Sequence, residues 1–345
     1  MTASDPSNSA LVRTARGDRP DRLPVWFMRQ AGRSLPEYRK LREGVAMLDA
    51  CMRPDLIVEI TLQPVRRHGV DAAIFFSDIV LPLKALGVDL DIVPGVGPVI
   101  AAPIGDLAGV GALPEFDPTR LDFVTEAVQE LRGALGGTPL IGFAGAPYTL
   151  ASYLIEGGPS REHAKTKALM RGASDVWDGL MTRLAEISAG FLRVQAAAGA
   201  SAVQLFDSWA GGLSPADYRR FVLPYSTAVF SAVAELEVPR IHFGVATGEL
   251  LADMSTAGVE VMGVDWRVPL DAALGRIQPG QAVQGNLDST LVFAPWPVIE
   301  QAVRDVVDSG RSAPGHIVNL GHGVLPDTDP DVLTRIVELV HSLPG

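Results

Sequence analysis

The sequence predicts a parallel α/β fold, a single (β/α)8 TIM barrel with extended loops after the early strands. Three observations carry that prediction. Eight short apolar runs punctuate the 345 residues, the runs are mostly continuous rather than alternating, and stretches of helical period separate them. Continuous apolar runs suit parallel strands covered on both faces. Alternation of strand and helix specifies βαβ units, and eight is the strand number that closes a barrel.

The runs are PVWFM (24–28), AAIFFSD (72–78), LIGFAG (140–145), AVQLFDS (202–208), RIHFGV (240–245), VMGVDW (261–266), AVQGNLD (282–288) and HIVNLGHG (316–323). Helical period fills 123–135, 173–199, 215–236 and 296–310. Ser214 before Pro215, and Pro330 with Asp331, mark helix starts. The runs beginning at 240, 261 and 282 are 21 residues apart, close to the minimum for a strand plus a crossover helix. Gaps after the first three runs are longer, so extra loop material is expected there.

With 35 Gly and 26 Pro spread along the chain, turns are frequent and no linker or low-complexity tract stands out. The expected organisation is a flexible segment over 1–20 followed by one catalytic barrel over 21–345. The chain is 47% hydrophobic and 20% charged, as a water-soluble protein with one large core or two smaller ones would be. Its opening residues lack the pattern of a signal peptide, and no run approaches ~18 apolar residues. A cytoplasmic location without membrane attachment is the expectation.

A net charge of −11 argues against nucleic acid or an anionic membrane as partner. The distribution says more. Residues 1–70 hold 12 Lys and Arg against 8 Asp and Glu, a net of +4, so the remainder carries −15. Locally concentrated positive charge suits a small anionic ligand. Cys51 is the single cysteine, which excludes a disulfide within the chain and a multi-cysteine metal site.

In barrels of this kind the chemistry gathers at the C-terminal ends of the strands. Polar residues at those positions are Arg29 and Arg33, then Asp78, then Tyr148, Ser152, Tyr153 and Glu156, then Asp207 and Ser208. Thr247, Asp265, Asn286, Asp288, Asn319 and His322 follow. Arg29 and Arg33 offer planar forks for carboxylates, with Ala31 and Gly32 between them leaving backbone donors open. Salt bridges within the protein are the competing reading of the pair. Asp78, after two phenylalanines, is a general acid, a base or an acceptor for ligand N–H groups; a helix cap is the alternative. His322, between glycines, suits hydrogen bonding or proton movement. Ser208 lies outside any nucleophile elbow and reads as a ligand hydrogen-bonder. The stretch VPGVGP (93–98) lacks dinucleotide-binding spacing and reads as a turn. With no phosphate loop or metal motif in the sequence, chemistry without metal or cofactor is the simplest expectation.

The block WFMRQAGRSLPEYR (26–39) resembles the N-terminal signature of the uroporphyrinogen decarboxylase family. The likeness continues in FFSDI (75–79), GFAGAPYTLASYLIEGG (142–158), QLFDSWAG (204–211) and NLGHGVLPDTDP (319–330). The resemblance implies a cofactor-independent carboxy-lyase, commonly a homodimer, acting on the four acetate side chains of a polyanionic tetrapyrrole. By the matching motifs, Arg29, Gln30, Ala31, Gly32 and Arg33 would contact substrate. Asp78 would be the essential aspartate, Tyr153 the site tyrosine, Ser208 a substrate-binding hydroxyl and His322 the site histidine; Asp78, Arg29, Arg33, Tyr153 and His322 form the catalytic set. The rivals are a corrinoid-type methyltransferase on the same scaffold and a non-catalytic tetrapyrrole carrier. The methyltransferase requires a His-x-Cys zinc site, but the comparable stretch here is His242-Phe243-Gly244.

Overall fold

A computed structural model describes residues 5–344. The first four residues of the segment expected to be flexible, and residue 345, lie outside the described residues. Among the described residues nine strands form: β1 (Ala73–Ile74), β2 (Leu90–Val93), β3 (Gly97–Ile100), β4 (Leu140–Gly145), β5 (Ala202–Asp207), β6 (Arg240–Gly244), β7 (Val261–Gly263), β8 (Ala282–Leu287) and β9 (His316–Leu320). Seven make one sheet in the order β1-β4-β5-β6-β7-β8-β9, with every pair parallel. Helices fill the crossovers, among them Asp122–Leu135, Ser174–Ala198 and Trp296–Ser309.

The closed eight-stranded barrel is therefore corrected: the sheet is seven-stranded, curled and open. The run 24–28 is buried as expected, but it makes only one isolated bridge, Val25 beside Val318. Pro24 has no N–H to give. The Val25 N–H donates to the Asp71 carboxylate at 2.9 Å, that of Phe27 to Gln30 Oε1 at 2.9 Å, and that of Met28 to Asn319 Oδ1 at 3.0 Å. Among these donors the Trp26 N–H alone reaches a strand carbonyl, that of Val318, at 3.2 Å. Side chains thus capture the donors that a ladder needs. The second run is also shorter than expected, since only Ala73 and Ile74 pair.

Two further local departures have simple causes. The turn at VPGVGP joins an antiparallel hairpin of β2 and β3, with Gly95 at φ +77° in the turn itself. The helical stretch 215–236 breaks into Pro215–Phe221 and Leu223–Ala232. Pro224 cannot donate back into the previous turn, so the ladder breaks at Val222, and the proline sits in the first turn of the second helix where no donor is needed. The start signals hold: Ser214 Oγ accepts the Asp217 N–H, and the Asp329 carboxylate caps Pro330–Ser342. At the N-terminus, helix Ala10–Ala15 buries Leu11, Val12, Thr14 and Ala15.

The inner face of the sheet has a polar layer below an aromatic one. Trp26 Nε1–H donates to Gln284 Oε1 at 3.1 Å, and Gln284 Nε2 donates to Gln204 Oε1 at 3.0 Å. Satisfying these buried amides keeps their desolvation cost low. Two residues further along β5, Phe206 meets Phe143 and Phe243 edge-on, at 5.4 and 5.9 Å between centroids. The apolar bed so formed lies just short of Ser208, the next inward position on that strand.

Candidate active site

Arg29 sits in a tight loop after the run 24–28, with its backbone in the left-handed region at φ +61°. A non-glycine residue there costs roughly 1–2 kcal/mol, so its surroundings must hold it. They do so on both sides. Met28 is fixed by Asn319 Oδ1 at its N–H and by the Val324 N–H at its carbonyl. Gln30, fully buried, accepts the Phe27 N–H and donates to the Ala72 carbonyl at 2.9 Å, and its own N–H returns to Phe27 O. The side-chain amide and backbone donor of Gln30 are therefore used in shaping the loop.

Arg29 and Arg33 are both exposed, and neither forms an ion pair or side-chain hydrogen bond among the described residues. The salt-bridge reading of the pair finds no acceptor. Burial first, then the Arg29 charge beside it, pull the Arg33 pKa down. Two unneutralised guanidiniums side by side make a site for anions. Gly32, buried between them, has its α-carbon close to the Arg29 carbonyl: a Cβ there would stand 3.1 Å from that oxygen.

Asp78 follows β1 and is half-buried. One carboxylate oxygen accepts the Val80 N–H at 3.0 Å, at the entry to helix Leu81–Leu86, while Oδ2 has no hydrogen bond among the described residues. That bond closes a turn two residues ahead of the helix, whose N-cap is Val80 with no side-chain cap bond, so Asp78 is not the helix cap. Burial raises the Asp78 pKa, and the Val80 N–H and the Arg29 charge pull it partly back. Tyr153, on helix Pro147–Glu156, is buried, and its hydroxyl pKa is pushed up to about 12 by burial and then by the Asp78 carboxylate. It is a neutral phenol at physiological pH.

His322 lies beyond β9. Its Nδ1 accepts the Gly323 N–H at 2.7 Å, which leaves Nε2 to carry the proton of the neutral ring. Burial, and then Arg29, lower its pKa, so neutrality is favoured. The flanking glycines admit neighbours rather than simply exposing the ring. A Cβ at Gly323 would stand 2.5 Å from Arg29 Cδ, and one at Gly321 would collide with the Trp266 backbone. The charge of Arg29 is felt by Asp78, Tyr153 and His322 alike, so these four lie within electrostatic range of one another. Arg33 and half-exposed Ala31 lie on the Arg29 loop, and half-buried Ser208 stands at the end of β5.

Other polar residues at the strand ends serve the framework. The Glu156 carboxylate receives the Thr166 N–H and hydroxyl, Asn286 donates to the carbonyls of Asp265 and Val268, Thr247 donates to the Gly244 carbonyl, and Asp288 caps the turn at Thr290. A search for polar strand ends overlooks two tryptophans. Trp209 meets Tyr153 edge-on at 5.8 Å, and Trp266 meets His322 at 6.2 Å. Their signal was position: each directly follows a polar residue at a strand end.

A family model described as uroporphyrinogen decarboxylase matches residues 6–343. A protein named uroporphyrinogen decarboxylase from Salinispora tropica is 65% identical over 98% of this chain and 91% of its own length. One of the same name from a Nocardioides species is 63% identical over 98% of each. Among solved structures, a methyltransferase from Methanosarcina mazei superposes with a TM-score of 0.80 at 19% identity, covering 96% of this chain and 97% of its own; at that identity the likeness is one of fold. The chain belongs to the uroporphyrinogen decarboxylase family.

Proposed function

We propose that this chain removes CO2 from the four acetate side chains of uroporphyrinogen III, giving coproporphyrinogen III in tetrapyrrole biosynthesis. One observation carries the assignment of roles. An aspartate with one oxygen unbonded among the described residues, Asp78, lies near Arg29, a guanidinium with no ion pair among those residues. The substrate is a flexible macrocycle with eight carboxylates and four pyrrole N–H groups. Arg29 and Arg33 answer its carboxylates, with Ala31 and Gly32 between them letting it approach the backbone, and Asp78 accepts its pyrrole N–H groups.

Decarboxylation needs an electron sink. A proton added to the ring carbon beside the acetate makes the pyrrole cationic. The bond to the carboxyl carbon then breaks, its electron pair enters the ring, and CO2 leaves. An exocyclic methylene remains; a proton added there and the loss of the ring proton give a methyl group, with one proton consumed overall. Ionised Asp78 stabilises the cationic ring at close range. Tyr153 and the Nε2–H of His322 act as neutral donors to substrate oxygens, and Ser208 as a further hydrogen-bonder. Gln30 acts by holding the Arg29 backbone.

The methyltransferase reading has no thiolate to work with. Gly244 stands where the cysteine would be, and Cys51 is buried with its thiol pKa pushed up by burial. The reading extends to a homodimeric enzyme working in the cytoplasm; among the described residues no helix is long and apolar enough to cross a membrane. Anaerobic incubation of the protein with uroporphyrinogen III, followed by separation of products by carboxyl number, tests the assignment. Stepwise conversion from eight carboxyls to four is expected; recovery of the substrate intact would refute it.

A further inference from the structure

Arg267 follows Asp265 and Trp266 just beyond β7. Its guanidinium carbon lies 3.9 Å over the Trp266 ring, and its side chain is 47% exposed. One edge is anchored: Nη1 donates to Asp265 Oδ2 at 2.5 Å. Nε and Nη2 have no hydrogen bond among the described residues. Asp265 is 2% exposed and spreads its charge over further donors, the Ala246 N–H at 2.5 Å and the Arg267 N–H at 3.1 Å. Ala246 is itself held in the left-handed region at φ +58°. A guanidinium fixed by stacking and one anchor keeps its remaining donors aimed and loses little freedom on gripping an anion.

The position of this side chain matters as much as its state. Contacts run round the rim from Arg267 to Trp266, from Trp266 to His322, and from the neighbouring Gly323 to Arg29. Arg276, near Val268 at Gly248, is committed to the protein through the Gly248 carbonyl. Arg29 and Arg33 can each grip one carboxylate, and eight are to be placed.

We propose that Arg267 is a specificity-determining residue that binds a carboxylate of the macrocycle other than the one reacting, on the His322 side of the site. This rests on the decarboxylase reading, and the test separates the two. Steady-state kinetics are measured anaerobically with uroporphyrinogen III for the parent enzyme, Arg267→Gln and Arg267→Lys, at low and high salt and alongside thermal melts. For Arg267→Gln, KM should rise about fivefold to tenfold, the scale of one half-exposed charged hydrogen-bond pair. Its kcat should stay within about twofold, and the salt dependence of kcat/KM should weaken. Arg267→Lys should keep the salt dependence but regain KM only in part, because the fork is lost. Unchanged KM and salt dependence in Arg267→Gln, with the parent enzyme active, would overturn the proposal. So would a defect confined to the melting temperature and fully rescued by lysine, since Arg267 would then serve only Asp265. An inactive parent enzyme removes the decarboxylase reading and this proposal with it.

Discussion

Asp78 is a carboxylate that the protein makes costly to ionise. Burial raises its pKa above the usual 3.8, so its charge is a penalty to the folded state that appears as pH rises past the ordinary carboxylate range. Catalysis requires that charge to face a cationic ring. The acid limb of kcat/KM, which reports the free enzyme, should therefore lie above the range of an exposed carboxylate. A pH–rate profile measured from pH 3 to 8 checks this, and a limb centred at or below 3.8 would contradict it. The backbone strain at Arg29 belongs to the same scale. The sequence shows an arginine in the RQAGR block but gives no sign of its left-handed φ, which depends on Asn319 and Val324 and on the Ala72 carbonyl that anchors Gln30, all from other parts of the chain.

Between elements, closeness is set by what glycine leaves out. Gly321 and Gly323 both follow β9, yet their substitutions should part company. An added methyl at Gly323 meets Arg29 at Cβ, Cγ and Cδ, 2.5–3.2 Å away. That side chain can move, so Gly323→Ala should fold normally and lose about tenfold or more in kcat/KM through a misplaced guanidinium. At Gly321 the obstacle is the Trp266 backbone, which cannot give way cheaply, so Gly321→Ala should lose stability as well. Kinetics and melting temperatures of the two variants decide the matter; equal losses of stability would contradict the assignment. Sequence pattern located seven strands and the helices between them because apolar continuity and helical period are local signals. The run 24–28 deceived for a physical reason: its apolar side chains are buried as a strand's would be, while Asp71, Gln30 and Asn319 take the backbone donors. No local pattern reveals where a distant side chain will send its oxygen.

Across the whole molecule, the same burial that shapes the site governs stability against acid. His68, His242 and His316 are buried, and each has its pKa lowered to about 4 from an ordinary 6.5. Each is neutral in the fold and gains a proton more readily when unfolded. The stability they allow is complete above about pH 6.5, falls through the window down to about 4, and is lost below it, on the order of 3 kcal/mol apiece. Asp207, whose pKa burial raises to about 7, acts in the opposite sense and offsets part of the fall. Urea unfolding from pH 7 to 4 should show a steep loss, and His242→Gln should flatten it; an unaltered slope would contradict the account.

The candidate site was more legible than the architecture around it, because the motif residues announce themselves in type and spacing. Asp78, Arg29, Tyr153 and His322 could be named from the chain, and in the structure the charge of Arg29 reaches the other three. Trp209 and Trp266 escape a search for polar residues; their positions were legible, but their edge contacts exist only after folding.

The central claim is that the carboxylate of Asp78, with one oxygen held by the Val80 N–H, stabilises the reacting ring. It is tested most directly by kcat on uroporphyrinogen III for Asp78→Asn against the parent enzyme, with melting temperatures alongside. Asparagine keeps an acceptor for the Val80 N–H and removes a charge that burial disfavours, so the melting temperature should hold or rise while kcat falls by about a thousandfold or more. A folded Asp78→Asn variant turning over at a near-normal rate would contradict the account.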